Sequence, residues 1–112
     1  MRRPRLDRRL LLESPTRQPD GAGGVIPGWQ VLGAHWAEVR FASGTSREGP
    51  GVAIARSGFD ITVRAAPHGS PARPVPGQRF RDGPRRFAIL SVAEADRQGF
   101  HLVCACREEV AP

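Results

Sequence analysis

The chain has 112 residues, 17 Lys+Arg against 11 Asp+Glu, a net charge of +6 and 39% hydrophobic residues. One domain fits that length; a two-domain enzyme, a barrel of alternating strands and helices, and a full dinucleotide-binding domain do not. The basic balance favours nucleic acid, an anionic surface or acidic proteins as partners without choosing among them.

In chain order, residues 1–9 come first as a basic arm with Arg2, Arg3, Arg5, Arg8 and Arg9 against one acid, Asp7. Such a terminus ordinarily frays into solvent. Leu10 to Leu12 make a short strand that Pro15 closes. This apolar run is too short for the hydrophobic region of a signal peptide. Residues 14–28 (SPTRQPDGAGGVIPG) read as a turn-rich connection.

The pattern turns extended from Trp29. His35, Ala37, Val39 and Phe41 share the more apolar face and point inward; Trp36, Glu38 and Arg40 share the other, with Trp36 outward or at a subunit contact. Residues 43–51 (SGTSREGPG) interrupt as a loop, and 52–56 are a helical turn or the start of a strand. Phe59, Ile61, Val63 and Ala65 alternate with Asp60, Thr62 and Arg64, the clearest half-buried strand.

Residues 66–78 carry four Pro and two Gly and form a loop with little pairing. A short strand around Phe80 ends at Asp82-Gly83, and residues 85–93 form the next strand. After a turn near Asp96 to Gly99, the last strand runs from Phe100 to Arg107, with Phe100, Leu102, Cys104 and Cys106 on one face. With 13 Gly and 11 Pro as punctuation, about six strands and no amphipathic helix, the chain is all-β: a small antiparallel barrel or sandwich with long loops. No run of about 18 apolar residues exists for a spanning helix, and no membrane partner is expected.

The residues argue against chemistry. Cys104-x-Cys106 with His101 is too sparse for a zinc site, and alternation sends the thiols inward and the imidazole outward. Ser57 and Ser70 lack a strained nucleophile elbow. Gly21 to Gly24 lead into no helix and no Lys, so they are no phosphate loop. No enzyme, metal or cofactor is expected.

The order of features is more telling: RRLLLESP, the turn DGAGGV, Trp29, HWAEVRFASGTS, the strand FDITVR, a Pro-rich loop, PGQRFRDGPRRFAILSV and the closing HLVCACRE. Over residues 5–109 this resembles the head–tail joining family of tailed phages, the head-completion or stopper proteins. The Lys-free composition suits a prophage or a gene transfer particle from a GC-rich bacterium.

The resemblance implies a structural component of the virion neck, made in the host cytoplasm. It implies a ring of six or twelve copies between the portal and adaptor above and the tail-terminator protein below. The lumen would pass double-stranded DNA without reading its sequence. The loop between the second and third strands would close that channel after packaging. Residues 43–58 occupy its place, with the closing loop at Gly44, Thr45, Ser46, Arg47, Glu48, Gly49, Pro50 and Gly51. Arg2, Arg3, Arg5 and Arg47 are the expected contacts to DNA or partner proteins. The competing reading is a small basic barrel that binds nucleic acid by stacking bases on exposed aromatics. Phe59, Phe87 and Phe100 alternate into apolar faces, which leaves few aromatics for that task.

Overall fold

The computed structural model describes residues 3–47 and 53–109, with side chains described over 3–42 and 58–109. Six strands, β1 (Arg8–Pro19), β2 (Val25–Arg47), β3 (Ala53–Arg64), β4 (Arg79–Asp82), β5 (Arg85–Glu94) and β6 (His101–Glu109), form one antiparallel sheet. It closes into a barrel in the order β1-β2-β3-β6-β5-β4, the last join being Leu12↔Phe80. Closure leaves the barrel wall without a free edge.

The core is what alternation dictates. Leu10, Leu12, Ala37, Ile61, Val63, Phe80, Phe87, Leu102 and Cys104 are fully buried, with Val39, Phe59 and Ala65 packed against them. Two expected core residues lie outside it. Phe41 is 65% exposed because β2 passes the barrel mouth there; its ring meets Phe59 edge-on at 5.6 Å. Phe100 is 66% exposed and precedes β6, held by its backbone, which accepts from Ala65 and donates to Asp96. Trp36 points outward, 57% exposed.

Two antiparallel ribbons leave the barrel, both built on the 23-residue β2. Its N-terminal part pairs with β1 from Glu13↔Val31 to Pro19↔Val25, and its C-terminal part pairs with β3 out to Arg47↔Ala53. The arms explain a radius of gyration of 15.6 Å, against about 13 Å for a compact chain of this size.

The first arm corrects the reading of residues 14–28 as a connection, and of Pro15 as a strand end. Strand pairing continues to Pro19 and Val25, and the turn is only residues 20–24. Pro15, Pro19 and Pro27 all fall in the same alternate set of pairs, Pro15↔Trp29, Arg17↔Pro27 and Pro19↔Val25. The Asp20 amide donates to the Gly24 carbonyl, so the other set carries the ladder bonds. The three prolines remove only outward-facing donors, which a two-stranded ribbon can spare. At the turn the Asp20 carboxylate accepts from Ala22 and Gly24, and Gly21 and Gly23 take positive φ of 83° and 86°.

The second arm corrects the loop expected over 43–51: strand extends through Arg47 and resumes at Ala53, which also settles 53–56 as strand. Register shifts leave Ala42 as an extra β2 residue between Phe41 and Ser43 and set two β3 residues, Arg56 and Ser57, against Gly44, and such bulges bend the ribbon. Residues 66–78 are a loop as expected, with Arg73 bonded to the Ala66 carbonyl and Pro74 buried.

Candidate functional site

The base of the first arm is a bulge. Glu13 pairs with Val31 where an unbroken ladder would pair it with Leu32, and Leu32 packs back on the core. Glu13 thereby faces outward beside its β4 neighbour Arg79, yet is only 4% exposed. The Arg79 Nε donates to Glu13 Oε1 at 2.7 Å and the Arg81 Nε to Oε2 at 3.0 Å. The Arg79 guanidinium lies 3.8 Å over the Trp29 ring, a stacking contact that Arg makes well. One carboxylate and two guanidinium groups thus fix the ribbon to the wall. Burial works to raise the Glu13 pKa, but the hydrogen bonds from Arg79 and Arg81 outweigh it and hold the carboxyl below its ordinary value.

At the base of the second arm, Arg85 grips Glu108 through Nε (2.7 Å) and Nη2 (3.1 Å) and lies over the Phe87 and Phe59 rings. That pairing holds the Glu108 carboxyl down. Phe59 meets Phe87 edge-on at 5.3 Å and Phe41 on its other side, so an aromatic row runs from the core to the mouth. Arg8 pairs with Asp82 across the β1–β4 join.

A groove of about 550 Å³ crosses the outer wall at β3 and β6, lined by Arg3, Pro4, Glu38, Thr62, Phe100 and His101, with Glu94 and Asp96 at its end. The chain's own residues 3–6 lie along it, and the Arg5 amide donates to Glu38 Oε2 at 3.0 Å. From Arg3 onward the basic arm is therefore laid on the barrel, with the Arg3 and Arg5 side chains exposed, rather than frayed. Asp96 accepts from Phe100 and contacts His101 Nδ1 at 2.8 Å. The hydrogen bond with His101 holds the Asp96 carboxyl below its ordinary value.

The thiols face the opposite side of the wall. Cys104 and Cys106 are buried and free, and the Cys106 thiol donates to the Cys104 carbonyl at 3.4 Å. Burial pushes the Cys104 thiol up to about 12 and Cys106 higher still, so both remain protonated and unreactive at neutral pH. Replacing either by Ala should cost on the order of 1 kcal/mol through a small cavity and leave assembly intact. Denaturant melts of the single variants check this; loss of folding would show that the thiols do more than fill space.

Titration adds a second expected result. Burial lowers the His35 pKa, with a contact to the Ala72 backbone acting the other way, and its ring meets Phe80 edge-on. A depressed His makes stability fall as pH drops below about 6.5; depressed carboxylates make it fall further below about 4.5. Urea midpoints should therefore decline in two steps on acidification, and His35→Gln should remove the upper one. An upper step that persists in that variant would contradict the assignment.

Of the residues singled out from sequence, Arg3 and Arg5 sit beside the groove. Gly44 to Arg47 lie on the β2 ribbon, on the opposite arm from the Glu13 cluster. Arg2 and Glu48 to Gly51 fall outside the described residues, as does the Arg47 side chain. Sequence reasoning gave no site role to Glu13, Arg79, Arg81 or Trp29. Their one signal was Arg-Phe-Arg around buried Phe80, which places two guanidinium groups on one outward face.

The described residues thus form a closed barrel with two projecting ribbons, each fixed at its base by a salt bridge. Comparison with known proteins agrees: residues 1–109 match the profile of the phage head completion proteins, and the chain belongs to that family. It is also similar to a chain in the solved structure of the virion of a native gene transfer agent particle. The two are 54% identical over 97% of this chain and 100% of that one, with a TM-score of 0.78. Among curated proteins none matches. The family's role is structural, completion of the head.

Proposed function

We propose that the protein forms a ring in the neck of a phage-like particle, between the portal and adaptor and the tail terminator, and that its lumen continues the DNA channel. The reading rests on family membership and on one observation: the β2–β3 ribbon runs past the barrel mouth to Arg47 and Ala53, as a closing element needs. Its tip, residues 44–51, would meet the tips of neighbouring copies across the lumen. The net charge of +6 suits phosphate without selecting sequence. Among the described residues no helix is available to read a major groove. The likeness to a gene transfer agent chain supports such a particle as the setting.

The base-stacking alternative gains nothing from the exposed aromatics. Trp36 and Phe41 lie on opposite faces of β2, Phe100 precedes β6 with β3 between it and β2, and one ring face of Trp29 is taken by Arg79. Particles made without the protein should fill heads with DNA yet carry no tails, and adding the chain back should restore tailing. Tailed particles in its absence would overturn the reading. Alone, the chain should sediment as a monomer or weak oligomer; a discrete, stable dimer retained in particles would contradict the ring.

A further inference from the structure

The chain ahead of β1 leaves the sheet and lies on it. Strand pairing begins at Arg8↔Ala37, and residues 3–7 join no strand. The Asp7 amide donates to the Arg5 carbonyl at 3.0 Å, a three-residue turn about Leu6. Leu6 has no positive φ, so the turn is of the inverse γ type common at strand ends. It carries the chain onto the outer wall, where the Arg5 amide donates to Glu38. Glu38, Thr62 and Val103 stand side by side there through the pairs Glu38↔Thr62 and Thr62↔Val103. The row is about 10 Å across three strands, and Arg3 and Pro4 reach past it to Phe100 and His101.

The segment is seated on this wall without being locked to it. Pro4 and Leu6 are half-buried, and Arg3 and Arg5 are exposed. Grooves of about 550 and 710 Å³ remain beside it, both bordered by Arg3 and Pro4. Among the described lining residues the wall itself offers Glu38, Glu94 and Asp96 against one guanidinium, Arg64. That balance suits a segment that brings Arg3 and Arg5. Its tether is a single turn: moving the Leu6 ψ by about 70°, from the turn to the extended value, straightens the chain away from the wall. A short hinge of this kind invites exchange of the segment between copies.

We propose that in the particle residues 3–6 of each copy leave their own wall and seat on the same wall of the next copy. The inference rests on the ring reading above and adds the link between its members. The occupant is already seen to fit, because the groove holds this segment within one chain. Exchange remakes the same contacts, so its balance is set by how close the next groove stands. Around a closed head-to-tail ring each copy gives one segment and takes one, which leaves no groove empty. Four extended residues span about 14 Å at most. The wall of the next copy must therefore come within that reach of the start of β1.

The test places a benzophenone on Gln98→Cys, an exposed position that borders the same groove as Arg3 and Pro4; buried Cys104 and Cys106 stay unlabelled. In the dilute free chain, irradiation should join the probe to residues 3–6 of the same chain. In assembled particles it should join two copies, mapping to residues 3–6 of the second. A free chain without its product would show that the groove does not hold the segment, and would overturn the exchange. Particle adducts that stay within one chain, map elsewhere, fall on another particle protein or fail to form would overturn it too, and leave the ring. Quantitative mass spectrometry counts copies in parallel; one copy per particle would overturn the ring and the exchange with it. A cleavable cross-link between Arg3→Cys and Gln98→Cys holds the segment on its own chain. Incorporation of that locked chain should fall at least about tenfold and return on cleavage. Undiminished incorporation of the locked chain would also overturn the exchange.

Discussion

Glu13→Ala should be the most damaging single substitution on the barrel surface, at about 3 kcal/mol. Among the described residues Glu13 is the acceptor that Arg79 and Arg81 share, and the Arg79 side chain is only 11% exposed. Removing the carboxylate leaves a guanidinium buried without its counter-charge, which costs about 3–5 kcal/mol. Arg81, a third exposed, recovers part of its loss from water and sets the lower end. Domains of this size hold about 5–15 kcal/mol in all, so urea denaturation should show a large drop. Glu13→Ala combined with Arg79→Met should be less damaging than Glu13→Ala alone, because the orphaned charge is gone and an apolar side chain still covers Trp29. A single variant within about 0.5 kcal/mol of the parent would show that water serves the guanidinium groups as well as Glu13 does. The arm's angle depends on the same contacts, so variants that fold should still enter particles poorly.

The second large effect is on DNA retention. Deleting residues 45–50 removes the end of the β2–β3 ribbon without touching the barrel, whose pairing on that side is complete by Phe41↔Phe59. From Phe41 to Arg47 the ribbon projects about 20 Å at the strand rise. An exposed ion pair such as Arg47 with Glu48 of the next copy is worth about 0–1 kcal/mol. In the proposed ring, closure would come from repetition: with six copies, contacts of about 0.5 kcal/mol would give about 3 kcal/mol, more than a hundredfold in the closed-to-open ratio. Shortened particles should package DNA and then lose it before tails attach, measured as nuclease-accessible DNA in tailless heads. Heads that hold DNA as well as the parent would remove the gate assignment and leave the family assignment standing.

The sequence carried the barrel better than its arms. Phe59 to Ala65 alternates without interruption, and β3 sits where period two puts it. The β5 and β6 spans follow equally well, because each buries one face. The β1–β2 arm was hidden by its own prolines: three Pro and four Gly within residues 14–28 are turn signals until the register shows which donors the prolines remove. Phe100 misled because period two continued one residue past the strand. The Glu13 cluster was out of reach for another reason. Its members are 66 and 68 residues apart in the chain, and an isolated Glu among many Arg says nothing until β1 and β4 are known to be neighbours. The family resemblance rested on the order of weak features along residues 5–109, and that order survives because the barrel constrains every strand at once.

A reconstruction of the particle neck tests the central claim most directly. The expected density is a rotationally symmetric ring of this chain between portal and tail, with the β2–β3 tips converging on the DNA axis. A ring whose β2–β3 ribbons point to the particle exterior, or a chain found in a single copy, would contradict it.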